Sequence, residues 1–457
     1  MSKPNIPQGT RDFSAETIHK RNFIFNAIRS VFQLYGFEPL ETPAMENLDT
    51  LMGKYGDEGD KLIFKILNNG LNDPKNIDKA KSGFDKLMSG KNTAELTERA
   101  LKYDLTIPFA RYVAMNYGQL TFPYKRYQVQ PVWRADRPQK GRYREFTQCD
   151  ADIVGSTSLI NEIELCNIYH HAFCKMGLKN YELKINSRKI LAALAEISGG
   201  ADKMMDITIA IDKLDKTGIE KVKEELLLKG LNDQQLSIIE TYLNISGSNE
   251  NKLAEIEKLF EGNETARKGI DEISFVYNNT KNINLTIDFT LARGLNYYTG
   301  IIFEAKAPST VKMGSIGGGG RYDNLTGLFG VPDMPGVGIS FGVDRIYDVL
   351  EELKLFPDKL YNSTQALFFN MGTNESLLAL QQVQQLRESG IACELFHEPA
   401  KMDKQFKYAE KKHIPFIVII GSAEIEQQAA VVKNLSTAEQ QKIPFIRLSE
   451  FFTQIIQ

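Results

Sequence analysis

The stretch VWRADRPQKGRYREF, from Val132 to Phe146, concentrates positive charge in an otherwise slightly acidic sequence of 457 residues. It holds five cations in fifteen residues, whereas the whole chain has a net charge of −3 and a pI of about 6.1. The segments on either side, 124–135 and 144–155, both have the composition of extended strands. The sequence therefore predicts a long-looped β-hairpin with a cationic tip. The five cations are Arg134, Arg137, Lys140, Arg142 and Arg144.

Five cations at one hairpin tip repel one another unless solvent or an anionic ligand offsets the repulsion. From the stretch alone, two interpretations stay open: a solvated loop, or a strand-borne Arg134 that faces a phosphate. The guanidinium group suits bidentate contact with phosphate and also stacks on flat rings. Arg293 lies among small and aromatic residues, and Arg345 follows a strand where a helix begins. These two further arginines favour an anionic substrate that is bound mainly by protein cations.

Length and composition restrict the class of protein. A single hydrophobic core rarely grows beyond roughly 250–300 residues, so this length predicts two or three domains. No apolar run is long enough to cross a bilayer, and no cationic-then-apolar leader is present, so neither membrane insertion nor secretion is expected. The four cysteines and five histidines form no metal-binding spacing, which leaves a protein metal site unsupported and fits a reducing cytoplasm. A nucleic-acid partner would have to be held by local basic patches.

Hydrophobic periodicity divides the rest of the chain into elements. Apolar residues at three- and four-residue steps predict an amphipathic helix over 17–35, followed by a strand over 37–43. The polar, turn-rich stretch 68–93 is interpreted as an exposed excursion. The composition of 178–282 predicts a mostly helical insertion. Beyond a polar boundary at 356–364, strands and helices alternate, which predicts a small α/β domain with a largely parallel sheet.

The order of several motifs resembles the histidyl-tRNA synthetase family of class II aminoacyl-tRNA synthetases. The resemblance covers nearly the whole chain, and the combination of RGLNYYTG with three class motifs is highly specific. The matching segments are PQGTRDF (7–13), FEPLETP (37–43) with the preceding helix as the first motif, VWRADRPQKGRYREFTQCDADIVG (132–155) as the second, ARGLNYYTGIIFE (292–304), GGGGRYDNL (317–325), and GISFGVDR (338–345) as the third.

The resemblance implies an α+β fold in two domains. Residues 1–355 would form a class II catalytic domain, an antiparallel sheet flanked by helices, with 178–282 as its helical insertion. Residues 365–457 would form an α/β anticodon-binding domain. The first motif of the family forms a dimer interface, so a homodimer is expected. The run GSIGGGGR lacks the G-x-x-x-x-G-K-[ST] pattern of a phosphate loop, and we expect its backbone to pass close to the ligand.

The implied reaction joins two anions: the carboxylate of L-histidine attacks the α-phosphate of ATP, and the histidyl group then passes to histidine tRNA. Fixed positive groups are the main catalytic device for such a step. By match to the motifs, Arg134 holds the α-phosphate and the carboxylate. Arg293 approaches from the other side, where related enzymes use a metal ion. Arg345 packs on adenine and reaches the γ-phosphate. Arg142 and Asp136 complete the ATP site, and Mg²⁺ arrives bound to ATP.

The amino acid requires acceptors for its ammonium group and partners for both ring nitrogens. The resemblance assigns the first role to Asp104 and Thr106, with Gln148 nearby, in a D-L-T arrangement typical of the eukaryotic-type branch. Bacterial relatives often carry glutamate with glycine and threonine there. The imidazole candidates are Tyr298, Tyr322 and Asp152, while Tyr297 lines the pocket. A packed aromatic pair on a strand is the alternative interpretation of Tyr297 and Tyr298.

Contacts to tRNA are expected at two places. Gln139 and Lys140, at the hairpin tip, are predicted to meet the acceptor end. Lys404, Lys407 and Lys411 share one face of a C-terminal helix and are predicted to contact anticodon-stem phosphates, although a solvated helix face has the same pattern.

Two other functions stay open. A synthetase-like regulatory subunit of ATP phosphoribosyltransferase would sense histidine without charging tRNA, but it usually lacks the C-terminal domain and parts of the motifs. A class II synthetase for another amino acid is disfavoured by RGLNYYTG.

Overall fold

The computed structural model describes residues 3–139, 141–292, 297–357, 360 and 364–456. It divides into two compact units, Met1–Phe356 and Pro357–Gln457.

The first unit has a large sheet flanked by helices. Its described helices are α1 (Ala15–Leu34), α2 (Leu48–Leu51), α3 (Gly56–Lys61), α4 (Ile77–Met88), α5 (Thr106–Asn116), α6 (Ile160–Lys175), α7 (Arg188–Ile197), α8 (Met204–Asp212), α9 (Leu214–Thr217), α10 (Ile219–Leu228), α11 (Asp233–Leu243), α12 (Asn249–Leu259), α13 (Glu264–Asn279) and α14 (Val343–Glu352). Its described strands are β1 (Glu38–Pro39), β2 (Met45–Asn47), β3 (Lys65–Ile66), β4 (Arg99–Leu101), β5 (Tyr124–Trp133), β6 (Glu145–Val154), β7 (Glu182–Ser187), β8 (Leu285–Ile287), β9 (Ile301–Lys306), β10 (Ser315–Tyr322) and β11 (Gly336–Gly342).

Eight strands form the main sheet in the order β1-β5-β6-β11-β10-β9-β7-β8. The inner neighbours are antiparallel, and only the two edge pairs, β1 with β5 and β7 with β8, run parallel. The predicted hairpin is present, since β5 and β6 pair continuously from Tyr124–Val154 to Trp133–Glu145. The α+β fold with an antiparallel sheet is thus confirmed.

Helix α1 corresponds to the amphipathic helix that the periodicity predicts. The Ser14 hydroxyl accepts a hydrogen bond from the Thr17 amide at 3.3 Å and so caps its first turn. Ile24, Ile28 and Val31 are fully buried or nearly so, and they join the core under the main sheet. The chain then leaves the helix through a positive-φ glycine into β1, beside β5.

Two expectations for the first unit differ from the structure. Residues 68–93 contain the amphipathic helix α4, which a high proportion of lysine, aspartate and glycine obscured. The segment 178–282 begins with β7, a strand of the main sheet, before its helices α7 to α13. Leu183 of β7, Ile190 of α7 and Ile273 of α13 belong to the same apolar core as the sheet strands. These helices therefore extend the main core and do not build a second one.

The second unit is a small α/β fold with its own core. Its described elements are β12 (Ala366–Phe368), α15 (Thr373–Glu388), β13 (Cys393–Leu395), α16 (Met402–Lys411), β14 (Phe416–Ile419), α17 (Ser422–Glu426), β15 (Ala429–Asn434), β16 (Gln440–Pro444) and α18 (Leu448–Ile456). The sheet order is β13-β12-β14-β15-β16. The first three strands are parallel, as predicted, but β15 and β16 add an antiparallel hairpin, so the sheet is mixed.

Candidate active site

The register of the main sheet places a row of polar side chains on one face. Gln128 of β5 lies opposite Asp150 of β6, and Arg126 lies opposite Asp152. Successive residues of a strand alternate between faces, so Asp150 and Asp152 point to the same side as each other and as Gln148. This face of β6 lines both of the cavities described below.

Glycines on the neighbouring strands leave room above this row. A Cβ added at Gly338 of β11 would lie 1.9 Å from Oδ1 of Asp152, and one at Gly319 of β10 would lie 2.1 Å from the carbonyl oxygen of Gly338. The glycine run is thus a central strand that packs closely against its neighbour, and the expected approach of its backbone to a ligand stays a prediction. The absent side chains make the space into which the polar groups point.

The larger of two adjoining cavities has a volume of about 600 Å³ and is lined by Arg134, Asp136, Arg142 and Arg345. Nε of Arg134 donates to the Tyr103 carbonyl oxygen at 3.0 Å, and its guanidinium lies 4.2 Å from the centre of the Tyr103 ring. Arg345, in the first turn of α14, donates from Nε to the Gly141 carbonyl oxygen at 3.0 Å. Its Nη1 donates to the Ser315 carbonyl oxygen at 2.7 Å. Backbone oxygens thus fix both guanidinium groups in the cavity wall.

Asp136 supports another residue of this cavity. Its Oδ1 accepts a hydrogen bond from Nη2 of Arg142 at 2.8 Å. The Asp136 side chain is 10 % exposed, whereas that of Arg142 is 48 % exposed. The aspartate therefore orients an arginine that is open to a ligand.

The smaller pocket, with a volume of about 50 Å³, contains most of the residues predicted for the amino acid. They are Asp104, Thr106, Gln148, Asp152, Tyr297, Tyr298 and Tyr322, and Arg134 also lines this pocket. Oδ1 of Asp104 accepts from the Tyr55 hydroxyl at 2.9 Å and from the Ile107 amide at 3.1 Å. Because Arg134, Gln148 and Tyr298 line both spaces, the two cavities meet at these side chains.

Asp152 is held by two groups. The Tyr322 hydroxyl donates to its Oδ1 at 2.7 Å, and Nη2 of Arg126 lies 2.7 Å from its Oδ2. Arg126 is completely buried, and its guanidinium also lies over the Phe109 ring at 4.3 Å. A buried ion pair of this kind requires such additional contacts, because each charge loses its hydration.

Burial dominates the electrostatics of the small pocket. Loss of hydration raises the pKa of Asp104, with the Ile107 amide opposing, and raises that of Asp152, with Arg126 opposing. Burial also raises the pKa of Asp150 to about 7; Arg126 opposes this shift and Asp152 adds to it. Three carboxyl groups around one small space favour a ligand that is cationic or rich in hydrogen-bond donors.

The other predicted residues either lie outside the described part of the chain or do not line these cavities. Arg293 and Lys140 lie outside the described residues. Gln139 is exposed at the hairpin tip, where its backbone pairs with that of Arg142. Lys404, Lys407 and Lys411 are exposed on α16 of the second unit, with no acidic side chain within 4.0 Å among the residues described.

The sequence reasoning missed several residues that line or support the site: Tyr55, Arg126, Phe146, Asp150 and Ser340. Strand alternation could have found Asp150, since it lies midway between two predicted residues of the same strand. Arg126 gave no such signal, because its role depends on the pairing of β5 with β6.

An antiparallel sheet with a cationic hairpin, joined cavities at the second and third motifs and an arginine at the start of α14 define a class II aminoacyl-tRNA synthetase. The sequence model of histidyl-tRNA synthetases matches residues 86–346, and that of an anticodon binding domain matches 365–455. The histidine–tRNA ligase of Christiangramia forsetii is 53 % identical over 98 % of this chain and 98 % of its own. The chain belongs to the histidyl-tRNA synthetase family.

Solved structures agree with this assignment. The crystal structure of histidyl-tRNA synthetase from Nostoc sp. PCC 7120 is 30 % identical, covers 99 % of this chain and 100 % of its own, and superposes with a TM-score of 0.82. An ATP phosphoribosyltransferase regulatory subunit/histidyl-tRNA synthetase from Bacillus halodurans is 19 % identical, covers 89 % of this chain and 97 % of its own, and has a TM-score of 0.70. That likeness shows the fold alone. In the described residues, no helix has the length and apolar character needed to cross a membrane.

Proposed function

We propose that the protein attaches L-histidine to histidine tRNA through a histidyl-adenylate, with release of pyrophosphate and AMP, and that the two joined cavities carry out the first step. Family membership supports the overall reaction. The observation that carries the assignment of the site is the position of Arg134, whose side chain lines both cavities.

ATP occupies the larger cavity, whose volume lies in the range of small-molecule sites. Its α-phosphate lies at the junction, within reach of Arg134. The histidine carboxylate approaches the same point from the small pocket. As it attacks, negative charge accumulates on the five-coordinate phosphorus, and a guanidinium already fixed by Tyr103 stabilises that charge without reorganising. By its sequence match, Arg293 supplies a second cation on the opposite side.

The rest of the nucleotide is held by the other arginines. Arg345 and Phe146 line the same cavity and offer a planar cation and an aromatic face for adenine. Arg142, half exposed and oriented by Asp136, binds the β- and γ-phosphates. Pyrophosphate leaves along this side.

The small pocket selects the amino acid. Its ammonium group binds Asp104 and Thr106, next to Gln148 at the junction of the cavities. The ring binds between Tyr298, Tyr322 and Asp152, with Tyr297 packed edge-on against Tyr298 at 5.1 Å. Buried polar groups that lose their partners make apolar analogues bind poorly, so an isosteric apolar side chain should be rejected strongly.

Mg²⁺ accompanies ATP in this proposal. The described residues contain no group of three or more His, Cys, Asp or Glu side chains suited to a metal. Magnesium usually binds through phosphate oxygens and one or two carboxylates. Glu304 fits this requirement, because it is 5 % exposed and lines the larger cavity. The ion would neutralise part of the charge on the triphosphate.

The tRNA binds elsewhere on the chain. Gln139 and Lys140 are proposed to meet its acceptor end, and Lys404, Lys407 and Lys411 to contact the anticodon stem. The second unit resembles an anticodon binding domain, which supports this division of roles. We further propose a homodimer formed through α1 and the following strand, and a location in the cytoplasm.

ATP–pyrophosphate exchange tests the proposal directly. Exchange should require histidine and no other standard amino acid, and transfer to histidine tRNA should follow. Binding of histidine without exchange would instead indicate a histidine-sensing regulatory subunit. Exchange with another amino acid would indicate a different synthetase.

A further inference from the structure

The small pocket contains a third carboxyl group to which neither the motifs nor the comparisons give a role. Asp150 lies between Gln148 and Asp152 on the same face of β6 and opposite Ser340 of β11. It is 2 % exposed and lines the pocket together with Asp104. A carboxyl group in this position must either support the pocket or contact what binds there.

The three carboxyl groups differ in how many of their oxygens the protein already occupies. Oδ1 of Asp152 accepts a hydrogen bond from Tyr322. Its Oδ2 accepts none from a described residue but is ion-paired with Nη2 of Arg126 at 2.7 Å. Oδ1 of Asp104 accepts two hydrogen bonds, and the Tyr297 hydroxyl lies 3.4 Å from its Oδ2. Asp150 has a hydrogen bond from the Ser340 side chain, but its Oδ1 is buried and accepts no hydrogen bond from any described residue.

Among the residues that the structure describes, no cation is paired with Asp150 either. Arg126 is paired with Asp152, and the buried Lys102 donates to the Thr42 carbonyl oxygen and to Gln130, both at 3.0 Å. A buried acceptor without a donor costs free energy, and that cost is removed when a ligand supplies the donor. Of the carboxyl groups in the pocket, Asp150 is therefore best placed to accept a hydrogen bond from a ligand.

We propose that Asp150 determines specificity for the histidine side chain, because its Oδ1, to which no described residue donates, accepts a hydrogen bond from a ring N–H of the substrate. The inference rests on the proposed function and adds to it. Tyr298 then serves the other ring nitrogen, while Asp152 and Tyr322, which are hydrogen-bonded to each other, flank the ring. Burial raises the pKa of Asp150 to about 7, so near neutral pH the protonated and ionised forms of this carboxyl group are similar in free energy. A hydrogen bond from a ligand N–H then favours the ionised form.

The test compares histidine with thiazol-4-ylalanine, in which sulfur replaces the distal ring nitrogen and no ring N–H remains. For each amino acid, kcat/KM is measured by ATP–pyrophosphate exchange in the wild-type protein and in Asp150→Ala and Asp150→Asn. The wild type should prefer histidine by about 100-fold or more, as polar sites do against analogues that lack a donor. Asp150→Ala should lower this preference at least tenfold. Asp150→Asn keeps an acceptor oxygen, so its preference for histidine should lie between those of the wild type and Asp150→Ala.

Two controls separate this role from structural support. The KM for ATP at saturating histidine should change less than about twofold, because the side chain does not line the larger cavity. Thermal unfolding shows whether each variant is folded; if Asp150→Ala is not, the preference of Asp150→Asn decides. An unchanged preference in a folded variant overturns the proposal. Absence of histidine-dependent exchange in the wild type would instead contradict the proposed function itself.

Discussion

The two joined cavities differ in how their charged side chains are held. In the small pocket, charged side chains are buried and paired with one another, as Arg126 is with Asp152, and glycines of the neighbouring strands form part of the lining. In the larger cavity, Arg134 and Arg345 are anchored by backbone carbonyl oxygens and remain partly open. A pocket of about 50 Å³ can discriminate by shape and by paired polar groups, whereas a cavity of about 600 Å³ binds a large anion through fixed cations. Substitutions should therefore act mainly through steric effects in the small pocket and mainly through electrostatic effects in the larger cavity.

The largest effect is expected from Gly338→Ala in the small pocket. Its Cβ would lie 1.9 Å from Oδ1 of Asp152 and 3.0 Å from the Ala151 carbonyl oxygen, in the middle of a paired strand. Asp152 cannot move away without leaving Arg126 unpaired in the interior, which is costly. We expect histidine-dependent exchange to fall by about three orders of magnitude or more, with a lower Tm.

Gly118→Ala is the matched control. Nothing lies within 4 Å of its added Cβ, and its backbone is not in the left-handed region. Exchange and Tm should stay close to those of the wild type. If Gly338→Ala behaved like this control, the small pocket would be far more adaptable than its packing indicates.

The second-largest effect on exchange is expected from substitutions in the larger cavity. Arg134→Ala should reduce kcat for exchange by about 10²–10³-fold, because it removes a preorganised cation from the point where charge develops. Arg345→Ala should mainly raise the KM for ATP, since its guanidinium is placed for the nucleotide and not for the reacting atoms. Both variants should keep a wild-type Tm more closely than Gly338→Ala does.

Arg137→Ala tests whether charge alone explains the result. This arginine is on the same hairpin but is exposed. Its removal changes the net charge equally and should leave exchange within about twofold. A loss as large as that of Arg134→Ala would mean that the overall positive field of the hairpin, and not one positioned guanidinium, supports the reaction.

The larger cavity could be predicted from the sequence more completely than the small pocket. The hairpin, α1 and the strand–helix junction at Arg345 follow from short-range patterns, and the structure contains all three. The arginines of the larger cavity were therefore accessible from sequence. The small pocket depends on registers between distant strands, so Arg126 was missed and Asp150 was passed over between two predicted neighbours. Helix α4 was missed because its polar residues match those of a turn.

A smaller effect is expected outside both cavities. Replacing Lys404, Lys407 and Lys411 with alanine should weaken tRNA charging by about tenfold and lower its salt dependence, because each contact with a phosphate contributes to counterion release. Exchange should not change. The triple variant of Lys221, Lys258 and Lys268, which are exposed in the first unit, removes the same charge and should affect neither reaction. Equal losses from both triple variants would argue against a tRNA contact on α16.

The smallest effect, on stability more than on activity, is expected from Lys102→Met, at a buried lysine that interacts electrostatically with Arg126 and Asp150. Burial lowers the pKa of Lys102 to about 8, well below the value near 10.4 of a solvated lysine. The folded protein therefore holds this proton less tightly than the unfolded chain does. The resulting cost is fully present below pH 8 and disappears as the pH rises toward 10.4, so Lys102 makes stability rise with pH in this window.

We expect the difference in unfolding free energy between the wild type and Lys102→Met to shift by about 1–3 kcal/mol between pH 7.5 and 10, measured by urea titration. The acceptors at Thr42 and Gln130 lose a donor in the variant, so its stability at neutral pH reflects that loss as well as relief from the buried charge. A constant difference across this pH range would show that Lys102 titrates normally. In that case the buried charges around the small pocket would be better hydrated than their packing implies, and the contrast with the larger cavity would be weaker.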